Sequence, residues 1–252
     1  MGSAVMKLFI PALVALILGA CAAITPDYAR EQRWAEEVVP GLVVGDAVRI
    51  DTAAKRSFLG VLAESPKARG AILLVHGSGV HPDFALIGQL RTLLNDAGFT
   101  TLSIQMPVLA ADAAAEDYPA VFAEAGGRLA AAIDFLRAKK QPRIALVSHS
   151  MGARMVLDYL KRNPTAPLAA WVPLAIVDGD LAGLPRTAFP VFDIYAERDF
   201  DVVIAKTKQR ATLLRGTTGS KQVMVFGADH FFAGREKELA MLLTDLLAPT
   251  LK

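Results

Sequence analysis

Ser150 stands in the run Arg143-Ile-Ala-Leu-Val-Ser-His-Ser-Met-Gly152, an apolar stretch that meets a small-X-Ser-X-Gly pentapeptide and continues into helix-like residues Ala153 to Arg162. A serine held on a tight strand-to-helix turn projects its hydroxyl above the sheet edge, while neighbouring backbone N–H groups face the same space. Such a serine is a candidate nucleophile. The positions two before and two after it must be small, because strand and helix backbones come close there. Here they are Ser148 and Gly152, and Ser148 replaces the usual glycine. The pentapeptide alone arises by chance in roughly one chain in four of this length, so its meaning depends on partners.

A serine nucleophile needs a base, and the chain has four histidines, His76, His81, His149 and His230, each at or beside the carboxyl end of a predicted strand. In a doubly wound sheet those ends converge on one crevice. His230, in Gly227-Ala-Asp-His-Phe-Phe-Ala233, follows the last predicted strand and is the expected base, taking the Ser150 proton during attack and returning it to a leaving group. The preceding strand end, Tyr195-Ala-Glu-Arg-Asp199-Phe-Asp201, offers the acid that would orient the imidazole. Asp199 is the expected acid. Asp201 is better placed to cap the helix expected from Val202, and Glu197 is the second alternative.

Acyl transfer also needs donors for a developing oxyanion. The backbone N–H of Met151 is one candidate and that of Ser78 the other. Ser78 lies in Leu74-Val-His76-Gly-Ser-Gly79, where Gly77 and Gly79 let the backbone turn toward the serine. His76 and His149 are expected to shape the loop and the turn, and His81 is open to either a structural or a functional role. The loop lacks the Lys-Ser/Thr of a P-loop and the spacing of a dinucleotide fingerprint. No cofactor is expected. No two histidines have H-E-X-X-H spacing and no thiolate cluster exists, so no metal is expected either.

These residues need a scaffold, and apolar strand runs alternate with helical stretches to supply one. A hairpin is expected from Ala47 to Ile50 and Phe58 to Leu62. Then come Ala71 to Val75, Phe84 to Ala97, Thr100 to Ile104, Tyr118 to Lys139 and Ile144 to Val147 before the serine turn. After it come Ala169 to Val177, Val191 to Tyr195, Val202 to Leu214, Gln222 to Phe226 and Glu236 to Leu247. This alternation predicts an α/β fold, a mostly parallel doubly wound sheet of about eight strands with an N-terminal antiparallel hairpin and helices on both faces. Only Asp178 to Pro190 is available as a lid, so an open cleft and a small acyl substrate are expected. The alanine-rich Ala110 to Ala115 stretch is a candidate for its second wall.

With 252 residues, 53% of them hydrophobic, the chain suits one domain with a short targeting segment. A net charge of +2 with scattered Lys and Arg, and no basic stripe interleaved with aromatics, argues against a nucleic-acid partner. Lys7 precedes the apolar stretch Leu8 to Leu18, which is short for a bilayer span and suits a signal peptide. Leu18-Gly-Ala-Cys21 follows and resembles a bacterial lipobox, whose cysteine is lipidated and becomes the mature N-terminus. Cys21 is the single cysteine, so no intramolecular disulfide is possible. The expected organisation is a signal peptide over 1–21, a tether and short helix over 22–45, and the main domain over 46–252. Ala22 carries no inner-membrane retention Asp, so the resemblance implies an outer-membrane lipoprotein facing the periplasm, attached through Cys21. The oligomeric state is not legible.

From about Gly45 to Leu247 these features resemble the α/β-hydrolase superfamily, whose triad follows the order found here: Ser150, Asp199, His230. More narrowly, His76-Gly-Ser-Gly-Val-His-Pro-Asp83, Thr101-Leu-Ser-Ile-Gln-Met-Pro107 and Ala228-Asp-His-Phe-Phe-Ala-Gly-Arg-Glu236 resemble an uncharacterised bacterial family of exported hydrolase-like proteins. The superfamily implies the fold and a serine hydrolase of carboxylesterase type, acting on esters or thioesters through an acyl-enzyme. The alternative is a catalytically weak binding or scaffold lipoprotein of the same fold.

Overall fold

Ala71-Ile-Leu-Leu-Val75 is buried along its whole length, and its side chains divide between two cores: Ala71, Leu73 and Val75 join one, Ile72 and Leu74 the other. Such an apolar run belongs in the middle of a sheet covered on both faces. In the computed structural model, which describes residues 24–177, 181–184 and 186–252, this run is the third of eight strands. They are β1 Asp46–Asp51, β2 Ser57–Ala63, β3 Ala71–Val75, β4 Thr100–Ile104, β5 Ile144–His149, β6 Ala170–Leu174, β7 Phe192–Arg198 and β8 Lys221–Asp229. Their order across the sheet is β1-β2-β4-β3-β5-β6-β7-β8. The β1–β2 hairpin is antiparallel, as is the β2–β4 pair, and all other pairs are parallel. The expected signal peptide and Cys21 lie outside the described residues.

Helices cover both faces. α1 spans Tyr28–Val38, α2 Ala85–Asp96, α3 Phe122–Ala138, α4 Met151–Arg162, α5 Asp201–Ile204, α6 Thr207–Leu214 and α7 Glu236–Leu247. Leu90 and Leu94 of α2 and Leu239 and Leu243 of α7 share one core; Leu129 and Ile133 of α3 and Met155 and Leu160 of α4 share the other. Where a cap would stand between β6 and β7, Leu181 and Phe189 turn into the core instead.

Two helices differ from expectation, each for a local reason. The stretch from Tyr118 begins as a 3-10 turn, Ala115–Val121, and becomes α-helical only at Phe122, because Pro119 has no N–H to continue a ladder. The single helix expected over Val202 to Leu214 is broken into α5 and α6. Arg210 reaches back to donate to the Val203 carbonyl (3.1 Å) and pairs with Asp193 (2.8 Å), both side chains fully buried, while the Thr207 hydroxyl donates to the Ile204 carbonyl. These bonds satisfy carbonyls that a continuous helix would otherwise use.

The segment before β1 is docked. Asp27 caps α1 by accepting from the Arg30 N–H at 2.9 Å, and Glu31 forms a buried ion pair with Arg128 of α3 at 2.8 Å. Arg30 donates to the carbonyls of Leu109 (2.9 Å) and Gly79 (3.3 Å). The short helix expected within the tether therefore braces the loop that follows β3.

Candidate active site

Ser150 occupies the turn between β5 and α4 with φ 54° and ψ −121°, a left-handed conformation costly for any residue but glycine. The surroundings enforce it. Its N–H donates to the Leu174 carbonyl at 2.9 Å, and α4 begins at the next residue. A Cβ at Gly152 would lie 2.2 Å from the His76 carbonyl oxygen, so only glycine lets α4 start this close to β3. Ser148 fits because its side chain is wholly buried and its hydroxyl accepts the Trp171 indole N–H at 3.0 Å.

The next strand ends bring the partners. Between β7 and β8 the register shifts at Ala196/Arg198, and such bulges re-aim the chain beside a site. Asp199 follows directly. Its carboxylate accepts N–H groups from Ala196 (3.1 Å) and Phe200 (2.9 Å), and His230 Nδ1 lies 2.6 Å from its Oδ1. His230 Nε2 lies 2.9 Å from Ser150 Oγ. A carboxylate partner assigns the proton to Nδ1, leaving Nε2 bare to accept from the serine. The turn after β8 is held by Asp229, which accepts from Phe231 and Ala233. Phe200 stacks on the His230 ring at 4.0 Å and 17°.

The structure thus brings Ser150, His230 and Asp199 into one hydrogen-bonded chain and leaves the alternatives outside it. Glu197 is exposed and accepts the Gly227 N–H at 2.9 Å. Asp201 is exposed in the first turn of α5 and makes no side-chain cap bond, contrary to the capping role expected of it.

His149 and His76 act as neutral struts. His149 Nε2 donates to the His230 carbonyl at 2.9 Å, and burial pushes its pKa down to about 4. His76 Nδ1 donates to the Gly77 carbonyl at 2.7 Å, its Nε2 accepts the Met106 N–H at 2.9 Å, and burial pushes its pKa down to about 3. The trans peptide after Gly77 is consequently oriented: with its carbonyl drawn to His76, the Ser78 N–H points the opposite way. Gly77 lies against the serine, since a Cβ there would be 3.3 Å from Ser150 Cβ. Exposed Ser78 lines the same small cavity as Ser150, and Met151 supplies the first N–H of α4. Gly79, at φ 70°, lets the loop turn so that its carbonyl meets Arg30.

His81 is held between Trp34 (5.8 Å) and Phe84 (5.5 Å), its Nδ1 accepting the Asp83 N–H, and burial lowers its pKa. It does not line the cavity beside Ser150, nor does any residue of Ala110 to Ala115. Cys21 lies outside the described residues. The Phe200 stack and the Arg30 and Trp34 braces carry no local sequence signal. Among the described residues no helix is long and apolar enough to cross a membrane, and no group of three or more His, Cys, Asp or Glu is arranged to hold a metal ion.

Solved structures share this architecture. A dienelactone hydrolase from Anabaena variabilis is 22% identical with a TM-score of 0.67, covering 82% of this chain and 97% of its own. An α/β serine hydrolase homologue from Coxiella burnetii is 17% identical with a TM-score of 0.66, covering 82% and 99%. An α/β serine hydrolase without lid from Xanthomonas campestris is 15% identical with a TM-score of 0.61, covering 82% and 95%. No curated protein matches the chain. The family described as Protein of unknown function (DUF3530) matches residues 25–126, from α1 through the His76 loop into α3, ending before Ser150. The chain therefore has the α/β-hydrolase fold, and residues 25–126 of it are similar to that family.

Proposed function

We propose that this protein is a serine hydrolase of carboxylesterase type that cleaves acyl esters or thioesters through an acyl-enzyme. The observation that carries this is the chain Asp199–His230–Ser150, with links of 2.6 and 2.9 Å, on a serine held at φ 54°. Ser150 Oγ attacks the acyl carbon as its proton passes to His230 Nε2, and Asp199 stabilises the imidazolium that forms. The N–H groups of Met151 and Ser78 receive the oxyanion. Collapse breaks the bond to the leaving group, which takes the proton from His230. Water then enters and attacks the acyl carbon as one of its protons passes to His230; the bond to Ser150 Oγ breaks, the acid leaves, and Oγ takes the proton back from His230. The fold neighbours described as serine hydrolases support this reading.

The protein is also proposed to be exported and anchored by lipid on Cys21, facing the periplasm from the outer membrane. The Leu8 to Leu18 stretch followed by Leu-Gly-Ala-Cys21 supports the anchor. Hydrolysis of a nitrophenyl ester by the wild-type protein, absent in Ser150→Ala, tests the activity; turnover equal in both proteins overturns it. Mass spectrometry of the native N-terminus tests the anchor: a diacylated Cys21 is expected, and any other mature N-terminus contradicts it.

A further inference from the structure

Resting on the reading of Ser150 as the acyl-accepting nucleophile, we infer that the cavity beside it is a short-acyl pocket, selecting apolar acyl groups of about two to four carbons, with Ile87 and Leu86 closing its far end.

Proton delivery assigns the sides of the site. His230 must protonate the leaving group, so the leaving group lies at His230 Nε2. With the carbonyl oxygen directed at the Met151 and Ser78 N–H groups, the acyl chain is left the side of the site away from His230. A cavity of about 90 Å³ opens there, containing Ser150 and Ser78 and not lined by His230. Other hollows are larger, such as one of about 480 Å³ between α1 and the β1–β2 hairpin, but neither it nor a second of about 600 Å³ is lined by Ser150.

Size and lining identify the occupant. A cavity of roughly 150 Å³ holds benzene, with its six heavy atoms. By proportion, 90 Å³ holds about three or four heavy atoms, the carbons of an acyl group no longer than about butyryl. The apolar walls are Val80, Phe84, Leu86, Ile87 and Phe231; His76 and His149, which also line the space, are the neutral struts described above, and no Asp, Glu, Lys or Arg lines it. An acyl group with its own carboxylate would be desolvated there without a partner.

The end wall is fixed. Leu86 and Ile87 are buried in the first turn of α2, behind Ala85, whose φ is 39°. That turn is pressed against the preceding loop, since a Cβ at Gly88 would lie 2.5 Å from the Asp83 carbonyl oxygen. Arg91 holds it from behind by pairing with Asp83 and donating to the Val44 carbonyl. The pocket therefore cannot lengthen by sliding α2, and an acyl chain too long for it must clash or remain in water.

The test is kcat/KM for p-nitrophenyl acetate, butyrate, octanoate and decanoate, with phosphonylation of Ser150 by a small ethyl fluorophosphonate measured in parallel. Acetate or butyrate is expected to be the best substrate, with at least about a tenfold fall to octanoate, the size of effect one or two misfitting methylenes produce. Ile87→Ala is expected to move the optimum toward longer chains. Phe84→Ala, at a half-exposed site whose loss does not threaten the fold, is expected to narrow the butyrate-to-octanoate ratio. A phosphonylated enzyme that prefers octanoate, or whose chain-length profile is unmoved in both variants, overturns the pocket while leaving Ser150 as nucleophile. Absence of phosphonylation overturns both.

Discussion

Trp171 donates its indole N–H to the Ser148 hydroxyl at 3.0 Å, and both side chains are sealed from solvent. The residue that departs from the usual glycine is thus the acceptor for a buried donor one strand away. Ser148→Gly is expected to leave Trp171 Nε1 unpaired and lower unfolding stability by about 1–3 kcal/mol, while kcat stays within about threefold because Ser150 is held by Leu174 and Gly152, not by Ser148. Urea unfolding followed by tryptophan fluorescence, with ester turnover on the same samples, checks both parts.

Gly152→Ala is expected to be far more damaging than its single methyl suggests. The new Cβ would stand 2.2 Å from the His76 carbonyl oxygen, which belongs to rigid backbone and cannot step aside. Either α4 shifts or the loop carrying Ser78 moves, so turnover is expected to fall by at least about 10². Circular dichroism separates a displaced site from an unfolded chain.

Asp199→Asn is expected to preserve the fold yet reduce kcat by about 10³–10⁴, because an amide that donates to His230 Nδ1 selects the wrong tautomer. Comparison of kcat with the crystal or solution fold of the variant checks this.

Acid sensitivity follows from the two buried struts. His76 and His149 have folded pKa values of about 3 and 4 against an ordinary 6.5, so between those limits the unfolded chain binds more protons than the folded one. Stability is therefore lost as pH falls through 6.5, by about 2 kcal/mol for each histidine between pH 7 and 5. Replacement of His149 by Gln is expected to flatten that dependence while lowering stability at pH 7. Unfolding midpoints at pH 5 and 7 for both proteins decide it.

Ser150, His230 and Asp199 are legible as candidates in the sequence because each sits at a strand end, where an apolar run gives way to a turn, and parallel topology gathers those ends. The β3, β4 and α7 boundaries are legible for the same reason: uninterrupted apolar runs with clear breakers. What is not legible depends on contacts between residues far apart. Nothing near Ser148 announces Trp171, nothing near Arg128 announces Glu31, and the break between α5 and α6 depends on Arg210 finding Asp193 in the core. Phe200 follows Asp199 directly, yet its stacking on His230 depends on where β8 ends.

The docking of α1 yields one more expectation. Arg30 donates to the Leu109 and Gly79 carbonyls, and so braces the loop that carries Ser78. Arg30→Ala is expected to lower kcat about tenfold, equivalent to about 1.4 kcal/mol of transition-state stabilisation, with phosphonylation of Ser150 still detectable. Parallel kcat and KM measurements check it, since a loosened oxyanion loop acts on kcat.

If Ser150 is an activated nucleophile, it reacts covalently with a fluorophosphonate. Peptide mass spectrometry of the intact protein after fluorophosphonate treatment tests it most directly. A single adduct is expected on the peptide containing Ser150, abolished in Ser150→Ala and strongly slowed in His230→Ala. An unlabelled wild-type protein, or labelling that survives Ser150→Ala, would contradict it.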